Sequence, residues 1–61
     1  MAGEVRFSQV RKLLEAKGYR LARISGSHHV FTRAGARPVP IPVHKGKVKP
    51  AYMRLAQKLE A

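Results

Sequence analysis

The apolar residues near the start of the chain recur at the spacing of an amphipathic helix. The stripe consists of Phe7, Val10, Leu13 and Leu14. This spacing predicts a helix over residues 7–17 with one buried face. Ser8 is the expected N-cap, because its hydroxyl can accept a backbone N–H of the first turn. Lys17 and Gly18 are expected to end the helix, since a glycine readily takes the left-handed conformation found there.

Two strand-like segments follow this helix, at residues 19–24 and 28–33, and a small-residue turn separates them. Alternation along the first strand predicts that three residues share one side of it: Tyr19, Leu21 and Arg23. In the turn Ser25-Gly26-Ser27, the glycine is expected either to hold a positive φ or to let a ligand approach the backbone.

Prolines alternate with apolar residues in the segment 37–43, and this pattern predicts an edge strand. The prolines stand at positions 38, 40 and 42. Alternate residues of a strand direct their N–H groups to the same edge, so the three missing donors all belong to one edge. The donors of Val39, Ile41 and Val43 remain for a neighbour on the other side. The prolines also protect the free edge against unwanted pairing.

A basic segment, residues 44–49, is expected to be a loop that leads into a second helix. Pro50 suits the first position of that helix, whereas Lys49 would be a poor N-cap. The apolar stripe of this helix consists of Tyr52, Leu55, Ala56 and Leu59. The order helix, three strands, helix predicts a single α+β domain over residues 1–61. Its sheet is expected to be a three-stranded antiparallel meander, with both helices on one face.

The charge of the chain narrows the choice of partner. Thirteen Lys and Arg residues against three Asp and Glu residues give a formal net charge of +10, and the basic residues are spread along the chain. With 44% hydrophobic residues, the chain is expected to fold and to carry a positive surface. Such a surface favours a polyanionic partner, with nucleic acid ahead of an acidic protein.

The absence of cysteine excludes disulfides and thiolate metal sites, and it fits the reducing cytoplasm. No apolar run follows Met1, so no signal peptide is expected. No segment approaches the roughly 20 apolar residues of a membrane span, and no membrane association is expected.

The candidate chemistry lies in the stretch Gly26-Ser27-His28-His29-Val30-Phe31. Strand alternation puts His29 and Phe31 on one side and His28 on the other. A thin core favours the larger Phe31, which places His28 on the open face of the sheet; the opposite phase, with Val30 in the core, is the alternative. An exposed imidazole suits proton transfer near neutral pH, although an isolated surface histidine is the simpler interpretation.

Two other chemistries fit the residues less well. A metal site would need the three histidines: His28, His29 and His44. Because adjacent strand residues diverge and no carboxylate is near them in sequence, metal binding is not expected. A Ser–His–acid triad also fails, since the acids lie outside the turn and strands: Glu4, Glu15 and Glu60. Cleavage of RNA requires less, because the 2′-OH supplies the nucleophile and the protein only an acid or base with cations.

Three segments together resemble a known family. They are Leu13-Leu14-Glu15-Ala16-Lys17-Gly18-Tyr19, Gly26-Ser27-His28-His29-Val30-Phe31 and Val39-Pro40-Ile41-Pro42-Val43-His44. In this order they resemble the HicA family of bacterial toxins, from about residue 8 to residue 59. The resemblance implies a fold like that of double-stranded-RNA-binding domains and an mRNA-cleaving activity (mRNA interferase) connected with the stress response. It also implies a HicB-like antitoxin as the partner.

The resemblance also assigns roles to particular positions. The catalytic histidine of the family follows a Gly-Ser pair, which corresponds to His28, while Gly26 and Ser27 would shape the turn and let RNA approach. His44 matches a second family histidine, either a second acid/base or an antitoxin contact. The residues expected to bind RNA phosphates are Lys45, Lys47, Lys49, Arg33 and Arg37. The family usually opens its last helix with Gly-Thr, where this chain has Pro50-Ala51.

The sequence therefore predicts the toxin of a toxin–antitoxin pair, an endoribonuclease that needs no metal, no cofactor and no ribosome. The main alternative is a non-catalytic RNA-binding module of the same fold, which would read A-form RNA through phosphate and 2′-OH contacts. A third interpretation is a basic subunit that pairs only with an acidic protein.

Overall fold

The computed structural model describes residues 4–59, so residues 1–3, Glu60 and Ala61 lie outside the described part. The elements in chain order are β1 (Val5–Arg6), α1 (Phe7–Ala16), β2 (Arg20–Ser25), β3 (His28–Thr32), β4 (Val39–Pro42), β5 (Lys47–Val48) and α2 (Pro50–Lys58). An antiparallel sheet has the order β2-β3-β4, and β1 pairs with β5 in a separate ribbon. The predicted α+β fold with a three-stranded meander is confirmed, with this ribbon added to it.

Helix α1 begins two residues earlier than an N-cap at Ser8 would allow. Its N-cap is Arg6, which has an extended backbone (φ −70°, ψ 138°) because it is also the last residue of β1. The Arg6 N–H donates to the side-chain oxygen of Gln9 at 3.2 Å. The prediction that Ser8 caps the helix is wrong, since Ser8 lies inside the first turn.

The other end of α1 is closed by a glycine, as predicted. Lys17 is the C-cap, and Gly18 has a φ of +87°. The Gly18 N–H donates to the Glu15 carbonyl and the Tyr19 N–H to the Leu14 carbonyl, both at 3.0 Å. This pair of hydrogen bonds is a Schellman motif, and its accompanying apolar contact is made here by the buried Tyr19 and Leu14.

The core is a single cluster between the sheet and the two helices. Its buried members are Val10, Leu14, Tyr19, Phe31, Val39, Ile41, Val48 and Ala56. Phe31 on the central strand and Ile41 on β4 are both completely buried. Pro40 precedes Ile41, points to the opposite face by strand alternation and is exposed. One face of the sheet is therefore covered by helices and the other is open.

A β-bulge in β2 changes which of its residues share a face. Leu21 pairs with Phe31, but Arg23 pairs with Val30, so the residue between Leu21 and Arg23 has no partner. The extra residue inverts the alternation. The prediction that Arg23 shares a side with Tyr19 and Leu21 is wrong, and Arg23 lies on the open face beside Val30.

Among residues 4–59, strand β4 pairs with β3 alone and is an edge strand, which confirms the prediction from its prolines. Ile41 lies opposite His29, and the Val43 N–H continues the pairing by donating to the Ser27 carbonyl at 2.7 Å. Hydrogen-bonded and non-hydrogen-bonded pairs alternate along antiparallel strands. Pro40 therefore falls at a position whose nitrogen faces the free edge.

The basic segment after β4 is a tight hairpin, and the prediction of a loop is wrong. The backbones of His44 and Lys47 exchange two N–H···O hydrogen bonds, at 2.9 and 3.0 Å. Lys45 and Gly46 between them have φ values of 54° and 77°. Positive φ at both central residues defines a type I′ turn, which matches the twist of the flanking strands. The turn directs Lys47 and Val48 into pairing with β1.

Helix α2 begins at Pro50, and its N-cap Lys49 makes no side-chain capping hydrogen bond, as predicted. Three residues of the predicted stripe contact the core: Tyr52, Ala56 and Leu59. Leu55 does not, since it is 42% exposed, and its assignment to the buried face is wrong. Met53, which the spacing did not assign to the stripe, packs against the core instead.

The side chain of Lys17 connects the ends of the two helices. Its ammonium donates to the carbonyls of Ala56 and Gln57, each at 2.8 Å, and to that of Leu59 at 2.6 Å. These carbonyls lie at the C-terminal end of α2, where a cation is favoured by the helix dipole and by unpaired acceptors. Lys17 is half-buried, so this interaction is partly shielded from water.

We expect Lys17→Met to lower the free energy of unfolding by about 2 kcal/mol, because three charge-assisted hydrogen bonds are lost together. The matched control is Lys12→Met, since Lys12 is exposed on α1 and should change stability by less than about 0.5 kcal/mol. Urea denaturation followed by circular dichroism measures both. Equal stabilities of the two variants would contradict the role assigned to Lys17.

Candidate active site

The turn between β2 and β3 places His28 at the start of the central strand. Ser25 pairs with His28, so the turn contains two residues, Gly26 and Ser27. Gly26 has a φ of +59°, and a Cβ added there would meet no atom within 4 Å. A glycine with positive φ at the first central position is typical of a type II′ turn. Gly26 thus has the turn-shaping conformation expected from sequence, with open space beside it.

The two adjacent histidines lie on opposite faces of the sheet. His28 is exposed on the open face, whereas His29 is half-buried with its ring 4.6 Å from that of Phe7. Phe31 is completely buried and Val30 is only half-buried, so the phase that puts Phe31 in the core is the one adopted.

His29 is held mainly by apolar packing. Its Nδ1 atom is buried and has no hydrogen-bond partner among the described residues. Its ring is tilted by 56° against Phe7, an arrangement that aromatic pairs favour. A buried nitrogen without a polar partner is poorly placed to exchange protons with a ligand, so His28 is the better candidate of the two.

The neighbours of His28 come from β4 and the residues after it. Pro42 lies directly opposite His28. Because Val43 and Ser27 form the adjacent hydrogen-bonded pair, His28 and Pro42 form a non-hydrogen-bonded pair, in which side chains come closest. His44 follows Pro42 by two residues, just beyond the Val43–Ser27 hydrogen bond, and its backbone pairs with Lys47 in the next hairpin.

A pocket of about 300 Å³ lies beside the turn, and we call it the turn pocket. Four of the site residues predicted from sequence line it: Ser27, His44, Lys47 and Lys49. His28 does not line it, but it follows Ser27 directly and pairs with Pro42, which does. The turn pocket and His28 are therefore adjacent features at the same end of the sheet.

Four lining residues of the turn pocket were not predicted as site residues: Glu4, Pro42, Val43 and Tyr52. Glu4 and Tyr52 are the two of them with polar side chains. Glu4 was rejected from sequence as a triad acid because it lies outside the turn and strands, yet it lines the pocket together with Ser27 and His44. Tyr52 fitted the apolar stripe of α2 and was assigned to the core, whereas it contacts both the core and the pocket. The scarcity of acids and of aromatic rings in the chain was the signal that could have identified them.

Lys45 lines a second pocket, next to the hairpin. Arg6, Ser8 and Lys47 also line it. Lys47 lines both pockets, whereas Lys49 lines only the turn pocket and Lys45 only the second one. The three lysines are therefore distributed around the hairpin.

Arg33 lines neither of these two pockets. Its Nη1 donates to the Lys17 carbonyl at 2.9 Å, and its guanidinium lies 4.7 Å from the centre of the Tyr19 ring. A Cβ added at Gly18 would lie 3.2 Å from Cδ of Arg33, so the arginine packs directly on the end of α1. Arg37 is exposed in the loop before β4.

Two further properties concern the described residues as a whole. Within residues 4–59, no three His, Asp or Glu side chains are grouped closely enough to hold a metal ion. None of the helices in the same range is long and apolar enough to cross a membrane.

Fold and site define a small basic α+β domain with an exposed histidine at a hairpin turn and a lysine-lined pocket beside it. The model of the family described as the HicA toxin of bacterial toxin–antitoxin systems matches residues 7–56 of the 61. The chain belongs to the HicA toxin family, which confirms the resemblance found in the sequence. It is accordingly a toxin of a toxin–antitoxin system, with a cognate antitoxin. Searches of curated proteins and of solved structures gave no match.

We expect Arg33→Gln to lower the free energy of unfolding by about 1–2 kcal/mol, because it removes a charge-assisted hydrogen bond and a cation–π contact. Arg37→Gln removes the same charge from an exposed loop and should change stability by less than about 0.5 kcal/mol. Chemical denaturation of the two variants makes the comparison. If Arg37→Gln proved the more destabilising, the packing role of Arg33 would be wrong.

Proposed function

We propose that this toxin is an endoribonuclease that cleaves mRNA without a metal ion or the ribosome, with His28 at the centre of the reaction. The observation that carries the proposal is the exposure of His28 beside an open glycine turn, at an end of the sheet rich in lysine. RNA can approach the imidazole there without displacing any part of the core.

The proposed reaction is a transfer of the phosphodiester to the neighbouring 2′-OH. The 2′ oxygen forms a bond to phosphorus and loses its proton, while the bond from phosphorus to the 5′ oxygen breaks and that oxygen gains a proton. The products are a 2′,3′-cyclic phosphate and a 5′-hydroxyl end. His28 exchanges a proton with the 2′-OH or with the leaving oxygen. His44, which follows Pro42 by two residues and lines the turn pocket, is the proposed second acid/base.

The cations around this end of the sheet would stabilise the negative charge that develops on the phosphate. Lys45, Lys47 and Lys49 are exposed on and beside the hairpin, and Arg37 is exposed before β4. They are proposed to contact RNA phosphates. Arg33 would contribute to the positive field rather than a direct contact, because its guanidinium already packs on Lys17 and Tyr19.

The antitoxin is proposed to be HicB-like. His44 is proposed either as a residue that contacts the antitoxin or as the second acid/base. The net charge of +10 favours an acidic surface on that partner. Such a partner would compete with RNA for the same lysines, which would couple binding of the antitoxin to inhibition.

We expect His28→Ala to reduce the rate of RNA cleavage by purified protein at least about 100-fold, the usual contribution of a positioned acid or base. The matched control is His29→Phe, which keeps an aromatic ring against Phe7 and should still cleave. Product release from a labelled single-stranded RNA, in the presence of EDTA, measures the rates. The proposal fails if His28→Ala cuts as fast as the wild-type protein.

Expression in bacteria separates the nuclease from an RNA-binding module of the same fold. We expect wild-type protein to arrest growth and His28→Ala to relieve the arrest at equal protein levels, because binding alone does not require a proton-transferring group. Growth curves with immunoblots for protein level provide the measurement. Arrest that persists in His28→Ala would instead support simple RNA binding.

A further inference from the structure

We propose that the turn pocket binds one guanine base of the RNA, next to the phosphodiester at which His28 exchanges a proton. The inference rests on the proposed function in taking RNA as the ligand, but it assigns a recognition site that catalysis does not require. Glu4 and Tyr52, which have no part in the cleavage chemistry, carry it.

Glu4 argues against a phosphate as the occupant of the pocket. Within residues 4–59 there are two acids, and the other, Glu15, accepts from Arg11 at 3.0 Å. Glu4 has no ion-pair partner among residues 4–59, although Lys47 and Lys49 line the same pocket. A free carboxylate repels a phosphate but accepts hydrogen bonds from the N–H groups of a base. The pocket is thus suited to a neutral ligand that donates hydrogen bonds.

Tyr52 gives the pocket a flat apolar surface. Its side chain is half-buried and packs against the core on one side while it lines the pocket on the other. Aromatic rings that are fixed in this way bind single-stranded RNA by stacking on a base. The volume of about 300 Å³ is at the lower limit for small-ligand sites, which fits one nucleoside rather than a duplex.

The carboxylate selects among the four bases. Guanine presents two adjacent donors on its Watson–Crick edge, N1–H and the N2 amino group, which match the two oxygens of a carboxylate. Adenine and cytosine offer one amino group on that edge, and uracil offers one imino group. Bidentate contacts discriminate more strongly than single ones. Guanine is therefore the base that Glu4 would prefer.

The position of the pocket explains why the base would be next to the cleaved phosphate. Ser27 lines the pocket, and His28 is the next residue on the chain. Pro42, opposite His28, lines it as well. A nucleotide whose phosphate lies at His28 could place its base over the end of the sheet, with Lys47 and Lys49 near the adjoining phosphates.

Binding to non-cleaved RNA tests this inference independently of catalysis. The protein carries His28→Ala, and the ligands are short uridine oligonucleotides with one central guanosine, adenosine, cytidine or uridine. Fluorescence anisotropy gives the four dissociation constants. We expect guanosine to bind about tenfold more tightly than uridine. Addition of Glu4→Gln should remove this preference, whereas Glu15→Gln, which changes the net charge equally, should retain it.

Variants of Tyr52 test the stacking surface. Tyr52→Leu should weaken the binding of all four oligonucleotides about tenfold, because stacking does not depend on the base. Tyr52→Phe should retain most of the affinity. Circular dichroism confirms that each variant is folded. A guanosine preference that survives Glu4→Gln, the lack of any preference, or full affinity in folded Tyr52→Leu would each overturn the inference. Failure of the wild-type protein to cleave RNA would overturn the nuclease alone, since these binding results do not depend on cleavage.

Discussion

The alternation of prolines at positions 38, 40 and 42 is the constraint on which the arrangement of the sheet depends. Because these residues cannot donate hydrogen bonds toward one edge, β4 must lie at the border of the sheet, and β3 must be the central strand. The central position of β3 then determines the surroundings of His28, with Ser25 on one side and Pro42 on the other. The candidate active site is thus a consequence of strand order as much as of the histidine itself.

The positive charge of the chain serves two physical purposes that are separated in space. Lys17 and Arg33 donate hydrogen bonds to backbone carbonyls at helix ends, at 2.6–2.9 Å, and so stabilise the fold. Lys45, Lys47 and Lys49 are exposed in and beside the hairpin of residues 44–47. A net charge of +10 therefore overstates the number of cations available to a polyanion. In a domain of this size, charged hydrogen bonds supplement a core of eight buried residues.

Patterns of period two and 3.6 were sufficient to predict the helices, the three-stranded meander, the edge strand and the faces of His28 and His29. They failed where a single residue changed the geometry. The bulge between Leu21 and Arg23 leaves no mark in the composition of β2, and it moved Arg23 to the other face. On α2, Met53 packs against the core and Leu55 is exposed, although the apolar spacing favoured Leu55. Glu4 and Tyr52 were missed because a pocket assembled from distant segments has no local sequence signal.

The backbone at Lys45 shows a balance between stability and charge. A type I′ turn requires positive φ at both central residues, and asparagine or glycine takes this conformation most readily. Lysine at a φ of 54° costs about 1 kcal/mol relative to those residues, yet the chain has it at the tip of the hairpin. The hairpin therefore carries an exposed cation at its tip in exchange for a less favourable turn conformation.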